Sequence, residues 1–254
     1  MRRTTRLVRL RNKPFRIAAY VQRKLRLLIV EDEAAIRAGL VDVFLYHGYE
    51  VDFAIDGPTG LAMAKSGRYD LVVLDVMLPG RNGYEICAAI REDDCEQPII
   101  MLTAKSSDAD IIQGLALGAD DYVTKPFSVA QLVLRVQAVL RRTRLASSDA
   151  AAIHLVNGIE IDTRNMCAKI GKNDVHFTRR EIEILQYLAE HGERPVPREE
   201  LLHKVWGYAR NLQIETRTVD IHIAKLRRKL EFDAKEPKHL ITVRGGGYRL
   251  VRSA

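Results

Sequence analysis

The chain has 254 residues, 47% hydrophobic and 6% aromatic, a length and composition that suit two globular domains of about 100–150 residues each. Its apolar runs, such as Leu27–Val30 and Leu71–Leu74, are far too short to cross a bilayer. Three widely spaced cysteines (Cys87, Cys95, Cys167) match no disulfide or metal framework, which argues against a secreted, disulfide-stapled scaffold and for a reducing cytoplasm. The net charge of +7 divides into +9 over residues 1–24, −7 over 25–142, zero over 143–152 and +5 over 153–254, so a cation or phosphoryl site is expected first and a polyanion partner second.

Residues 1–24 are basic, lack acids and fit neither domain; a disordered arm or a misplaced start is expected there, with Val21 a candidate non-AUG start, and no export signal opens the chain. Residues 25–142 alternate β-branched runs with amphipathic stretches. Strands are predicted at Leu25–Val30, Val51–Ile55, Leu71–Asp75, Pro98–Thr103 and Asp121–Thr124. Helices are predicted at Ala34–Tyr46, Pro58–Lys65, Tyr84–Arg91, Asp108–Leu117 and Val129–Arg142. Five such units predict an α/β domain with a doubly wound, five-stranded parallel sheet and a ligand site beyond the strands' carboxyl ends. The small, polar run 143–152 reads as a linker.

The remainder, 153–254, reads as a smaller α+β domain. Alternating runs at Ile153–Asp162 and Met166–Phe177 precede a capping box, Thr178 to Glu181, that opens a helix. Further helices are predicted from Arg198 to Trp206 and from Thr216 to Leu230, followed by a hairpin of Ile241–Arg244 and Tyr248–Val251 around three glycines.

Glu31, Asp32 and Asp75 fall at strand ends, where neighbouring strands would gather them into a cluster that repels itself without a cation; hard oxygen donors of this kind suit Mg²⁺. Thr103 and Lys125 end two further strands. Together they offer what a phosphoryl group needs, a carboxylate to accept it and cations to neutralise its oxygens. Taken singly, each residue has a plainer reading as a helix cap, a core hydroxyl or a solvated lysine. The set of five in order does not.

In the third helix of the second domain, Val219, Ile223, Leu226 and Leu230 form an inward stripe. Arg217, Ile221, Lys225 and Arg228 lie roughly opposite, flanked by Thr218 and His222, and such a helix fits a major groove about 12 Å wide. Arg244 before Gly245–Gly247 could enter a narrow minor groove. Asp220 is expected to cap or pair. The plainer reading of this helix is a solvated basic face.

The motifs Ile-Val-Glu-Asp-Glu (29–33), Leu-Asp-Val-Met-Leu-Pro-Gly (74–80), Met-Leu-Thr-Ala (101–104) and Gly-Ala-Asp-Asp-Tyr-Val-Thr-Lys-Pro-Phe (118–127) resemble the receiver domain of two-component response regulators. Phe177–Leu185, Val205-Trp-Gly207, Arg217–Ile223, Lys225–Leu230 and Thr242–Tyr248 resemble the winged-helix output domain of the OmpR/PhoB type. The resemblance implies phosphorylation of Asp75 by a histidine kinase, with Asp32, Asp75 and the Met77 carbonyl holding Mg²⁺ and Glu31 assisting through water. Thr103 and Tyr122 would act as the switch, Lys125 would pair with the phosphoryl group, and Lys125–Pro126 would be cis. Promoter binding to double-stranded DNA would use Arg217, Thr218, Ile221, His222 and Lys225 in the major groove. Arg227, Thr242 and Trp206 would lie near phosphates, and Arg244 in the minor groove.

A homodimer would form through Asp121 and Arg135, with Asp120 and Arg142 adding pairs. Ile111 and Gln131 depart from the pattern where a basic and an acidic residue usually pair, so the resemblance implies a weaker or more apolar dimer contact. Gly207–Glu215 resembles the segment that touches RNA polymerase, though slightly longer than usual. The implied function is a cytoplasmic, phosphorylation-dependent transcriptional regulator, neither an enzyme nor membrane-bound. Its rivals are a phosphorylation-independent regulator with a vestigial switch and a Mg²⁺-dependent phosphohydrolase. The latter lacks the second acid of an Asp-x-Asp motif, since Met77 stands there.

Overall fold

A computed structural model describes residues 23–104, 117–145, 152–156, 158–208 and 217–252, without the side chains of 142–145 and 217. Residues 1–22, the expected helix Asp108–Leu117 apart from its last residue, and residues 209–216 therefore lie outside the description.

The first domain is a parallel sheet of order β2-β1-β3-β4-β5, with β1 Arg26–Val30, β2 Glu50–Ala54, β3 Leu71–Asp75, β4 Ile99–Thr103 and β5 Asp121–Thr124. A strand buried on both faces reads as an unbroken apolar run, because side chains alternate between faces. The structure separates them accordingly. Leu27 and Ile29 pack with α1 (Ala34–Tyr46) and α4 (Val129–Leu145) on one side; Leu28 and Val30 pack with α2 (Gly57–Ala64) and α3 (Gly83–Asp93) on the other.

Local chemistry starts these helices where the chain needs them. Asp56 caps α2, accepting from Thr59 N at 2.8 Å, and Asn82 forms a reciprocal capping box with Glu85 on α3. Gly83 lets α3 begin hard against β3, since a Cβ there would stand 2.2 Å from the Asp75 carbonyl oxygen. Strand order reverses between β1 and β3, which opens a crevice at their carboxyl ends.

One boundary differs from expectation. Helix α4 runs to Leu145, three residues into the segment read as linker, because Thr143, Arg144 and Leu145 continue a helix whose inner face is already packed by Leu132, Val136 and Leu140.

The second domain opens with a four-stranded antiparallel meander of β6 (Ile153–His154), β7 (Glu160–Asp162), β8 (Cys167–Ile170) and β9 (Asn173–His176). Helices α5 (Arg179–Glu190), α6 (Arg198–Lys204) and α7 (Arg217–Leu230) follow, then a hairpin of β10 (Leu240–Val243) and β11 (Gly247–Leu250). The predicted capping box of Thr178 and Glu181 is present, and Val219, Ile223, Leu226 and Leu230 face the core. Gly247, at φ 106°, lets the hairpin lie against Val196, whose carbonyl oxygen would be 2.0 Å from a Cβ at that position. No helix among the described residues is long and apolar enough to cross a membrane.

The domains touch. Ile221 of α7 joins the first domain's apolar cluster, and Ala138 of α4 joins the second's.

Candidate metal centre and nucleic-acid interface

Parallel pairing sets Val30 beside Leu74, so Glu31 and Asp75 emerge at the same edge of the sheet. The carboxylate oxygens of Glu31, Asp32 and Asp75 lie within 4.8 Å of one another, Glu31 and Asp75 buried and Asp32 exposed. Lys125, just past β5, places Nζ 2.8 Å from Glu31 and 3.1 Å from Asp75. Thr103 ends β4 in a buried position, and its carbonyl accepts from Lys125 N at 2.7 Å. The Lys125–Pro126 bond is cis.

Burial raises the carboxyl pKa of both Glu31 and Asp75, and Lys125 opposes it in each case. Burial works to lower the Lys125 ammonium, but Glu31 and Asp75 outweigh it and leave that pKa raised. Asp75 Oδ1 is buried and accepts no hydrogen bond among the described residues. Acids held close, with one oxygen unsatisfied, form a donor set that fits a hard divalent cation. Met77 lies in the bend two residues beyond Asp75, its side chain exposed. Tyr122, opposite Met101 in the sheet, is buried in the cluster that Ile221 enters.

The residues expected to join two receivers are engaged within the chain. Asp121 accepts from Arg135 Nη1 at 2.7 Å with its side chain fully buried, and Arg135 also donates to the Tyr208 hydroxyl at 2.9 Å. The Tyr208 hydroxyl in turn donates to Asp121. Asp120 pairs with Arg91 at 3.1 Å and accepts from Ile99 N at 2.8 Å. In this structure the second domain covers that face, so Asp121 and Arg135 meet each other and Tyr208. Arg142 lies within α4, its side chain outside the described residues, as are Ile111 and the Arg217 side chain.

The DNA-facing expectations divide. Arg244 and Thr242 are exposed on the hairpin, and Arg227 bridges α7 to it, donating to Thr242 Oγ1 at 2.7 Å and to the Leu240 carbonyl at 2.8 Å. Thr218, Ile221 and His222, expected on or beside an outward face, are buried. His222 meets the Trp206 ring edge-on at 5.2 Å, and burial pushes its pKa down to about 4, so it is neutral at pH 7. Trp206, expected near phosphates, is also buried, and its indole N–H donates to the Asp120 carbonyl at 3.2 Å. Lys225 turns inward to Glu181 at 3.1 Å.

Two groups escaped the sequence reading. Tyr208 carries no local signal, since its partners lie 73 and 87 residues away. Arg198 donates to Asp220 at 2.6 Å and to the Tyr248 hydroxyl at 2.9 Å, tying α6, α7 and the hairpin together. Asp220 does pair, as expected.

Comparison with known proteins gives two family matches: "Response regulator receiver domain" over residues 27–137 and "Transcriptional regulatory protein, C terminal" over 171–250. The chain is 41% identical to the response regulator ArlR of Staphylococcus haemolyticus, covering 87% of this chain and 97% of that protein. It is 37% identical to SphR, the alkaline phosphatase synthesis transcriptional regulatory protein of Synechococcus elongatus, covering 89% and 90% respectively. Among solved structures, a RitR mutant aligns with TM-score 0.68 at 26% identity, covering 90% of this chain and all of that one.

Proposed function

This chain belongs to the two-component response regulators of the OmpR/PhoB type, which are phosphorylation-dependent transcriptional regulators, and we propose that Asp75 is its phosphoacceptor. The supporting observation is the convergence of Glu31, Asp32 and Asp75 with Lys125 at one sheet edge. In this reading an Asp75 carboxylate oxygen attacks the phosphorus of a kinase phosphohistidine. The P–N bond breaks, its electron pair stays on the imidazole, and an acyl phosphate remains on Asp75. Glu31, Asp32 and Asp75, with the Met77 carbonyl, would hold Mg²⁺, which supplies charge neutralisation for the phosphoryl oxygens. Lys125 adds a fixed positive charge, and Thr103 and Tyr122 follow the new group, which brings about −1.5 to −2 charges.

Phosphorylation then favours pairing of two receivers in the cytoplasm, and the paired output domains occupy adjacent half-sites on promoter DNA. Pairing raises the effective concentration of the second domain, so a modest dimerisation energy becomes occupancy. Contact with RNA polymerase would fall to the segment beyond Gly207, most of it outside the described residues. Beryllofluoride with Mg²⁺, as a mimic of the acyl phosphate, is expected to increase both self-association in sedimentation and promoter occupancy in footprinting. If both stay unchanged, this reading fails.

Arg244, exposed at the hairpin tip, supplies a separate prediction. Arg244→Ala should weaken specific binding and reduce the slope of log affinity against log salt by about one unit, as loss of one phosphate-neutralising charge requires. A titration series with an unaltered slope would remove Arg244 from the groove.

A further inference from the structure

The three carboxylates of the acidic pocket are held unequally. Lys125 donates to both Glu31 and Asp75. Asp32 is exposed, and no described residue donates to its carboxylate, so its own backbone fixes where those oxygens stand.

That backbone needs support from outside the sheet. Glu31 N donates to Ala54 O at 3.1 Å, and β2 ends there. A carbonyl past the end of a ladder must find its donor elsewhere, in water or in a side chain. Glu33, the N-cap of α1, makes no side-chain cap bond that would pin the turn.

Arg37, one turn into α1, supplies the missing donors. Its Nη1 donates to Glu31 O at 2.8 Å and to Asp32 O at 2.9 Å. The guanidinium carbon lies 5.5 Å from the ring centre of Phe53 on β2, a phenylalanine left 51% exposed. That ring is a platform for the cation, so the clasp ties the turn to α1 and to the edge strand together.

We propose that Arg37 is a positioning residue for the metal centre: by clasping two consecutive carbonyls it fixes the Glu31–Asp32 turn and holds the Asp32 carboxylate toward Asp75. This rests on the reading of Glu31, Asp32 and Asp75 as the Mg²⁺ donors.

Arg37 acts on a bound cation in two opposed ways, and their signs separate them. A guanidinium repels a divalent cation, so by charge alone its removal would tighten binding. A group that orders a ligand spares the cation the cost of ordering it, so its removal weakens binding. The second effect should win. Solvent screens the charge of a half-exposed guanidinium, whereas Asp32 has no other anchor.

The test is Mn²⁺ binding to the full chain, read from the free-ion EPR signal with no phosphate donor or mimic present. Arg37→Met keeps a stem over Phe53 and removes charge and donors. It is expected to weaken Mn²⁺ binding roughly tenfold, as loss of a group that orients a metal ligand does. Arg37→Lys returns a charge and N–H donors and should recover part of the affinity; under repulsion alone the order of the two variants reverses. Arg26→Met is the control. Arg26 lies at the other end of β1, pairs with Asp52 at 2.7 Å and sits 5.6 Å from the Tyr69 ring centre, so its loss should lower the melting temperature and leave Mn²⁺ affinity unchanged.

Mn²⁺ binding by Arg37→Met as tight as in wild type, or tighter, overturns the positioning role. So does an equal loss in Arg26→Met, which would mean that β1 has merely loosened. Asp75→Ala reports on the underlying reading: if wild type holds Mn²⁺ no more tightly than that variant, the acids are not a cation site. Should Arg37→Met lose its cooperative melt, Phe53→Leu decides, since it withdraws the platform and leaves the charge. A loss of roughly threefold, the worth of an exposed cation–π contact, supports the clasp, and unchanged affinity overturns it.

Discussion

Asp75→Ala is expected to reduce labelling by radioactive acetyl phosphate to background while leaving the fold intact. The label requires a carboxylate oxygen as nucleophile, and Glu31 and Asp32 offer poor substitutes. Glu31 is buried and bound by Lys125 at 2.8 Å, whereas Asp32 is exposed and lies beyond the end of β1. The fold should survive because Lys125 keeps Glu31 as a partner when Asp75 is gone. Without divalent cations the variant's melting temperature should hold or rise, since burial disfavours the Asp75 charge and the substitution removes it. Label persisting on the variant would move the phosphoacceptor elsewhere.

Glu181→Ala should strongly destabilise the output domain, by about 3–5 kcal/mol, the usual cost of stranding buried charges. Glu181 is fully buried between Lys229 at 2.6 Å and Lys225 at 3.1 Å, and it also accepts from Thr178 N at 2.8 Å to complete the cap of α5. Burial alone would raise its pKa, but Lys225 and Lys229 outweigh that and hold it below the ordinary value of 4.5. A depressed folded-state pKa means the stabilisation is present above 4.5 and is lost as pH falls further. For a domain of about 100 residues the substitution should lower the melting temperature by roughly 15–25 °C at pH 7 in calorimetry. Glu181→Gln should lose less, because the cap survives without the charge. An alanine variant melting within a degree or two of wild type would show that both lysines escape to solvent.

These two predictions differ in how far the residues themselves revealed them. Asp75 was legible because a carboxylate at the end of Leu71–Asp75 carries both a strand signal and a chemical one. Glu181 is legible as part of a helix cap, and it completes one. Its second role, counter-ion to two lysines of α7, joins positions 44 and 48 residues further along and leaves no local trace. Helical periodicity places Lys225 outward; the buried charge of Glu181 draws it in.

By itself the sequence determined the parts governed by short-range rules. Unbroken aliphatic runs at Leu27–Val30 and Leu71–Leu74 set the strands and side-chain oxygens at Asn82 and Thr178 set helix starts, because each depends on neighbours within one turn or one pleat, and the strand-end acids marked a pocket that strand pairing then assembles. Only the tertiary structure decided what covers the outer side of α7, which group meets Asp121 and Arg135, and how far α4 runs past the expected boundary. Those outcomes depend on which surface two separately folded domains bury against each other. That choice is a sum of many weak contacts over residues far apart in the chain, and no local period encodes it.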